Sequence, residues 1–180
     1  MGIILVGGFV AGIIFFMTFH FTMAYSNKMD LCLSCHEMTP FYEEYKKSPH
    51  YNNPSGVRAT CSDCHVPHDK DIFGWFDKLY FKITIGGKDI YHHLKGTYDT
   101  REKINAARWE LANNVWKNMK ERDSKECRFC HQFEAMDLEK QDRTAAKKHG
   151  RAMEEGKTCI DCHKGIAHEE PEEPDEPEKK

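Results

Sequence analysis

The chain has 180 residues, of which 39% are hydrophobic, and a formal net charge of −3. This length allows one folded body, and because many apolar residues fall in the first 25 positions, the remainder is too polar for an ordinary aliphatic core. No basic stripe suits nucleic acid, and paired cysteines point to a compartment outside the reducing cytoplasm.

Gly2 to Tyr25 is a run of 24 residues without a charged side chain. At 1.5 Å per residue, about 20 apolar residues cross a bilayer core. A cleaved signal peptide is the competing reading, but Thr22-Met23-Ala24 is a poor small-x-small site and the run exceeds the usual apolar region of about 7 to 15 residues. Residues 1–27 are therefore expected to be a retained transmembrane anchor. His20 is read as an interfacial residue.

Cys32-Leu-Ser-Cys35-His36-Glu-Met38 follows, then His50, Cys61-Ser-Asp-Cys64-His65 and His68. Ile72 to Ile83 is the most aromatic stretch after the anchor, with Phe73, Trp75, Phe76, Tyr80 and Phe81 interleaved with Lys78 and Lys82. Its spacing predicts a helix, packed on a cofactor or lying at the membrane surface, that ends at Gly86-Gly87. A second helix is predicted from Thr100 to Arg122, with Asp99 and Thr100 available as caps and Ile104, Ala107, Leu111, Val115 and Met119 as its stripe.

Cys127-Arg-Phe-Cys130-His131 comes next, then His149, Cys159-Ile-Asp-Cys162-His163 and His168. Residues 169–180 hold seven acids against two lysines, a net of −5 that leaves about +2 elsewhere, and this segment reads as a solvated acidic tail.

Four Cys-x-x-Cys-His motifs use all eight cysteines. Zinc and redox sites use Cys-x-x-Cys pairs without needing the adjacent histidine, whereas c-type haem attachment needs both thiols and that imidazole. Four covalently bound c-type haems are therefore expected, and these large apolar groups would supply most of the missing core. Residues 30–68 and 125–168 share one layout of motif, lone histidine, motif and trailing histidine, which reads as a duplicated dihaem module. The fold class expected is mainly α with much irregular structure: a transmembrane helix plus a tetrahaem cytochrome c domain over residues 28–168. The repeated positions make His50, His149, His168 and His68 candidate iron ligands, and Met38 adds a thioether beside the first motif.

These motifs at these spacings, with the anchor, Cys-x-x-Cys-His-x-Met, Lys88-Asp89-Ile90-Tyr91 and Cys-Ile-Asp-Cys-His-Lys-Gly-Ile-Ala-His, resemble the NapC/NirT family of membrane-anchored quinol dehydrogenases over residues 1–168. The resemblance implies electron flow from menaquinol or ubiquinol to a periplasmic nitrate or nitrite reductase, as in anaerobic respiration. The implied location is the inner membrane, with a single span and the haem domain facing the periplasm. It further implies Met38 as a ligand of the first haem in place of His36, Asp89 close to the other side of that iron, and Lys82 beside the quinol. His168 would pair with His65 on the second haem and His50 with His131 on the third. On the fourth, bound through His163, His149 is the first choice and His68 the second. Quinol, a reductase and the lipid bilayer are the implied partners, and a homo-oligomer is compatible with the sequence. The competing function is a tethered electron shuttle without a quinol site. A catalytic multihaem reductase would need an open iron, which the supply of histidines disfavours.

Overall fold

The computed structural model describes residues 1–68 and 72–174. Helix α1, Gly2–Tyr25, is followed by α2, Met29–Cys32, α3, Thr39–Tyr45, and α4, Cys61–His65. Next come α5, Ile72–Phe81, a π-helical turn over Lys82–Gly86, and α6, Gly87–Lys95. Helices α7, Arg101–Glu121, α8, Lys125–Cys130, and α9, Arg143–Glu154, complete the helical set, with short 3-10 turns at His36–Met38, Phe133–Ala135, Leu138–Lys140 and Cys159–Asp161. No β-strand occurs among the described residues, and the mainly helical, partly irregular fold expected from the sequence is observed.

Helix α1 stands apart from the body, with its apolar side chains exposed and none of its apolar span buried in protein, as a lipid-facing helix requires. Its C-terminal end is fastened to the body. Lys82 Nζ donates to the Ser26 carbonyl at 3.2 Å and to Ser26 Oγ at 2.8 Å, satisfying a carbonyl that a helix end leaves without a partner. About two turns deeper, the rings of Phe19 and Trp75 meet at 5.4 Å.

Helices α5 and α6 form one continuous rod through the π turn, which corrects the expected stop at Gly86-Gly87. Both glycines are right-handed helical, with φ of −61° and −63°. The rod ends at Gly96, whose φ of +65° lets its N–H and that of Thr97 return to the His93 and His92 carbonyls. Phe73, Phe76, Tyr80, Ile83, Ile90, Tyr91 and Leu94 are exposed along this rod, far more apolar surface than an aqueous helix usually shows.

Helix α7 begins as expected, with Thr100 Oγ1 accepting from Lys103 N–H, while Asp99 pairs with Lys103 Nζ at 2.6 Å. Its Arg122 end bridges the rod to α8, through Asp77 at 2.7 Å and Glu126 at 3.1 Å. Asp123 and Ser124 then take φ of 54° and 48°, a conformation costing non-glycine residues on the order of 1 kcal/mol each. The fully buried Ser124 uses its Oγ to accept the Ile160 N–H at 3.2 Å, which draws the fourth motif against the third.

Among the described residues, the buried hydrophobic side chains of the core are Tyr45, Ile104 and Ile160. So small a core cannot offset the ordering entropy of a body this size, which matches the expectation that haem supplies the apolar interior. The acidic tail is described only to residue 174, and residues 175–180 of it lie outside the described residues. Its first residue is not free: Glu169 N–H donates to Glu44 at 2.9 Å and the Glu169 carbonyl accepts from Arg108 at 2.9 Å.

Candidate haem-binding site

The second and fourth motifs are built by the same local device. Thr60-Cys-Ser-Asp63 and Thr158-Cys-Ile-Asp161 each close a capping box, in which the aspartate accepts from the threonine N–H, at 2.7 Å and 2.9 Å respectively. This fixes the turn that carries both cysteines. None of the eight cysteines forms a disulfide. The thiols of Cys32 and Cys61 lie close to one another, as do those of Cys127 and Cys159. Helix α2 packs on α4, and α4 on α8. Cys35, Cys64, Cys130 and Cys162 complete the pairs, so the four attachment points follow one another in sequence order from the anchor outward.

The histidines far apart in sequence meet in pairs. His65 and His168 have ring centres 6.1 Å apart, His131 and His50 6.2 Å, and His163 and His149 6.0 Å. An iron about 2 Å from each nitrogen, with about 1.1 Å more to each ring centre, would separate two ligating imidazoles by about 6 Å. The residues present therefore fit three irons with two imidazoles each. Desolvation holds the imidazoles of His65 and His168 below the ordinary histidine range, which favours the neutral form that a ligand needs.

Behind these rings lie side chains that no sequence pattern announced. Gln141 Oε1 lies 2.6 Å from His149 Nδ1. Glu44, buried, grips Arg108 through both carboxylate oxygens and stands 4.0 Å from His168 Nδ1. Burial opposes ionisation of Glu44, but Arg108 holds its carboxyl below the usual range. His50 Nδ1 is buried without a hydrogen-bond partner.

The first motif is different. His36 Nε2 meets the Asp99 carbonyl at 3.1 Å, and since a carbonyl only accepts, that nitrogen carries the proton and has no lone pair for iron. His93 lies 6.1 Å from His36 but tilted at 61°, with its Nδ1 on the buried Glu37 at 2.7 Å. Met38 follows in the 3-10 turn with its side chain exposed. His68 is engaged elsewhere: its Nε2–H donates to the Asp63 carbonyl at 2.9 Å and its ring stacks on Phe129 at 3.8 Å.

Lys82 opens the π turn and Asp89 follows it in the first turn of α6, and such a helical irregularity is frequent at functional sites. Desolvation, with Lys78 adding repulsion, keeps the Lys82 ammonium below the ordinary lysine range, while the neighbouring Cys32 opposes that shift. Desolvation pushes the Asp89 carboxyl up, against His92 and Lys88. The structure turns Lys82 toward Ser26 rather than toward Asp89.

A profile described as the NapC/NirT cytochrome c family, N-terminal region, matches residues 1–173. A putative tetraheme cytochrome c-type protein of Allochromatium vinosum is 50% identical over 168 residues, 93% of this chain and 88% of that protein. The cytochrome c-type protein NapC of Escherichia coli K12 is 47% identical over 173 residues, 96% of this chain and 84% of its own. The denitrification system component NirT of Stutzerimonas stutzeri is 46% identical, with 96% and 83% covered. No solved structure matches the chain. With four attachment motifs, paired imidazoles and a lipid-facing helix on one chain, the protein belongs to the NapC/NirT cytochrome c family and is a membrane-anchored electron-transfer protein with four c-type haems.

Proposed function

We propose that the chain oxidises quinol at the surface of the inner membrane and passes the electrons to a periplasmic terminal reductase, with residues 1–27 as anchor and residues 28–168 as a haem domain facing the periplasm. The observation that carries this reading is the α5–α6 rod. It is fastened to the C-terminal end of α1, exposes a row of apolar side chains, and carries Lys82 at the start of its π turn and Asp89 just after it, with Lys82 close to Cys32 of the first motif. Aromatic and lysine side chains collect at the boundary of a bilayer, where quinol diffuses. Relatives named NapC and NirT, the latter a denitrification system component, support delivery to nitrate or nitrite reduction.

Quinol oxidation releases two protons and two electrons, and bound haems accept and release electrons one at a time. The protons must therefore go elsewhere. Asp89 would accept one from a quinol hydroxyl and the second would pass to water at the membrane surface, and a carboxyl pushed up by desolvation is a better-matched base near neutral pH than an ordinary aspartate. Lys82, swung from Ser26, would donate to the quinol oxygen as negative charge develops there. Met38 would hold the first iron, and His65 with His168, His131 with His50, and His163 with His149 would hold the other three with two ligands each from this chain.

The tethered-shuttle reading has one observation in its favour, the structural bond of Lys82 to Ser26. Purified holoprotein in lipid, mixed with a reduced menaquinol analogue and followed at the haem Soret band, separates the two. The quinol reading expects rapid reduction, slowed about 10²-fold or more in Asp89→Asn and Lys82→Met, with all four haems still reducible by dithionite. A parent protein that stays oxidised overturns it.

A further inference from the structure

The three distal imidazoles differ in what stands behind them. Among the described residues, His50 Nδ1 and His168 Nδ1 are buried without a hydrogen-bond partner, the latter with the Glu44 carboxylate 4.0 Å away, whereas His149 Nδ1 has Gln141 Oε1 at 2.6 Å. The last is a short, direct contact. We infer that Gln141 is a positioning residue for the fourth haem, holding the His149 imidazole in the tautomer that faces His163 and lowering the reduction potential of that haem.

Placement of this side chain is local and firm. Gln141 closes the Leu138–Lys140 turn, and the next residue, Asp142, caps α9 by accepting from Thr144 N–H at 2.8 Å and Ala145 N–H at 3.3 Å. His149 lies two turns further along the same helix, on the face above that cap. The turn and the helix pack against one another, so Gln141 and His149 are held from both sides.

The chemistry follows from the inventory of donors. An amide oxygen only accepts, so His149 Nδ1 carries a proton and Nε2 keeps its lone pair. His163 then lies across 6.0 Å with its ring inclined at 35° to that of His149. An imidazole that donates from its far nitrogen is a stronger electron donor at its near one, which favours the oxidised iron. Flipping the amide would place an N–H against Nδ1, move the imidazole proton to Nε2, and destroy the lone pair.

This inference rests on His149 being the distal ligand, and the experiment separates the two ideas. In full-length holoprotein, Gln141→Leu, Gln141→Glu and His149→Ala are compared by redox titration followed with magnetic circular dichroism. His149→Ala converts one low-spin haem to high-spin if the ligand reading holds; an unchanged spectrum overturns the ligand reading and the inference together. With the ligand confirmed, Gln141→Leu raises the potential of that one haem by roughly tenfold in its one-electron equilibrium, about 59 mV, and Gln141→Glu lowers it. The other low-spin haems keep theirs. Shifts of the same sign in both variants, or no shift in either, would reduce Gln141 to a packing residue.

Discussion

At the anchor end of the molecule His36 also has an imidazole, that of His93, 6.1 Å away but spends its Nε2 proton on the Asp99 carbonyl, whereas at the three outer motifs the adjacent histidine faces its second imidazole across 6.0 to 6.2 Å. The same five-residue motif therefore serves two ends. Outside the motif, a histidine delivered from 14 to 103 residues away in sequence stands opposite and would close each outer site. At the first site the sequence continues instead into a tight turn over His36–Met38, with Glu37 buried beneath it. Burial alone would raise the Glu37 carboxyl, but hydrogen bonds from its own backbone and from His93 hold it below the usual range, so a negative charge sits under the site nearest the membrane. Under the proposed ligation, closed outer sites would suit transfer between fixed partners, and a differently ligated inner site would suit exchange with a diffusing quinol.

The strongest way to break this contrast is to open the outer sites one at a time. His168→Ala and His50→Ala should each turn one low-spin haem high-spin, because removing an imidazole from a 6 Å pair leaves an iron position without a ligand. A spectrum unchanged in either variant would remove that pair from the account.

A smaller effect concerns the inner site and pH. Under the proposed mechanism Asp89 acts as a base only when ionised, and its carboxyl is pushed above the usual range, so quinol-dependent reduction should fall as pH is lowered through that raised pKa. Asp89→Asn should be slow at every pH. If parent and variant show the same pH profile in stopped-flow reduction, Asp89 is not the proton acceptor.

Stability should also separate the regions. Arg108→Ala leaves the buried Glu44 carboxylate without its cation and should cost about 3 kcal/mol in thermal or denaturant unfolding of the holoprotein. His68→Ala should cost about 1 kcal/mol, the net worth of one hydrogen bond, and leave all four haem spectra as they were. A loss of low-spin signal in that variant would make His68 a ligand after all.

The parts of this architecture legible in sequence are those whose chemistry demands contiguous residues. Haem attachment needs two thiols and an imidazole at fixed spacing, and a bilayer span needs an unbroken apolar run, so both could be read directly. Repetition singled out His50 and His149 before a motif and His68 and His168 after one, and of these His50, His149 and His168 stand opposite motif histidines while His68 stacks on Phe129. Gly86-Gly87 misled, since a glycine pair reads as a helix stop while the π turn absorbs both in helical geometry. Glu44 and Arg108 meet across 64 residues and Gln141 reaches His149 across eight, and neither spacing carries a signal that distinguishes it from ordinary surface polarity.

Electron paramagnetic resonance of the oxidised holoprotein tests the contrast between the ends most directly. The ring planes are inclined at 86° for His131 and His50, but at 36° and 35° for the second and fourth pairs. The account predicts three low-spin bis-imidazole haems, one of them with the more anisotropic signal of crossed ligand planes, and a fourth haem of different ligation that alone responds to a bound quinol analogue. Four equivalent bis-imidazole signals, with none altered by the analogue, would contradict it.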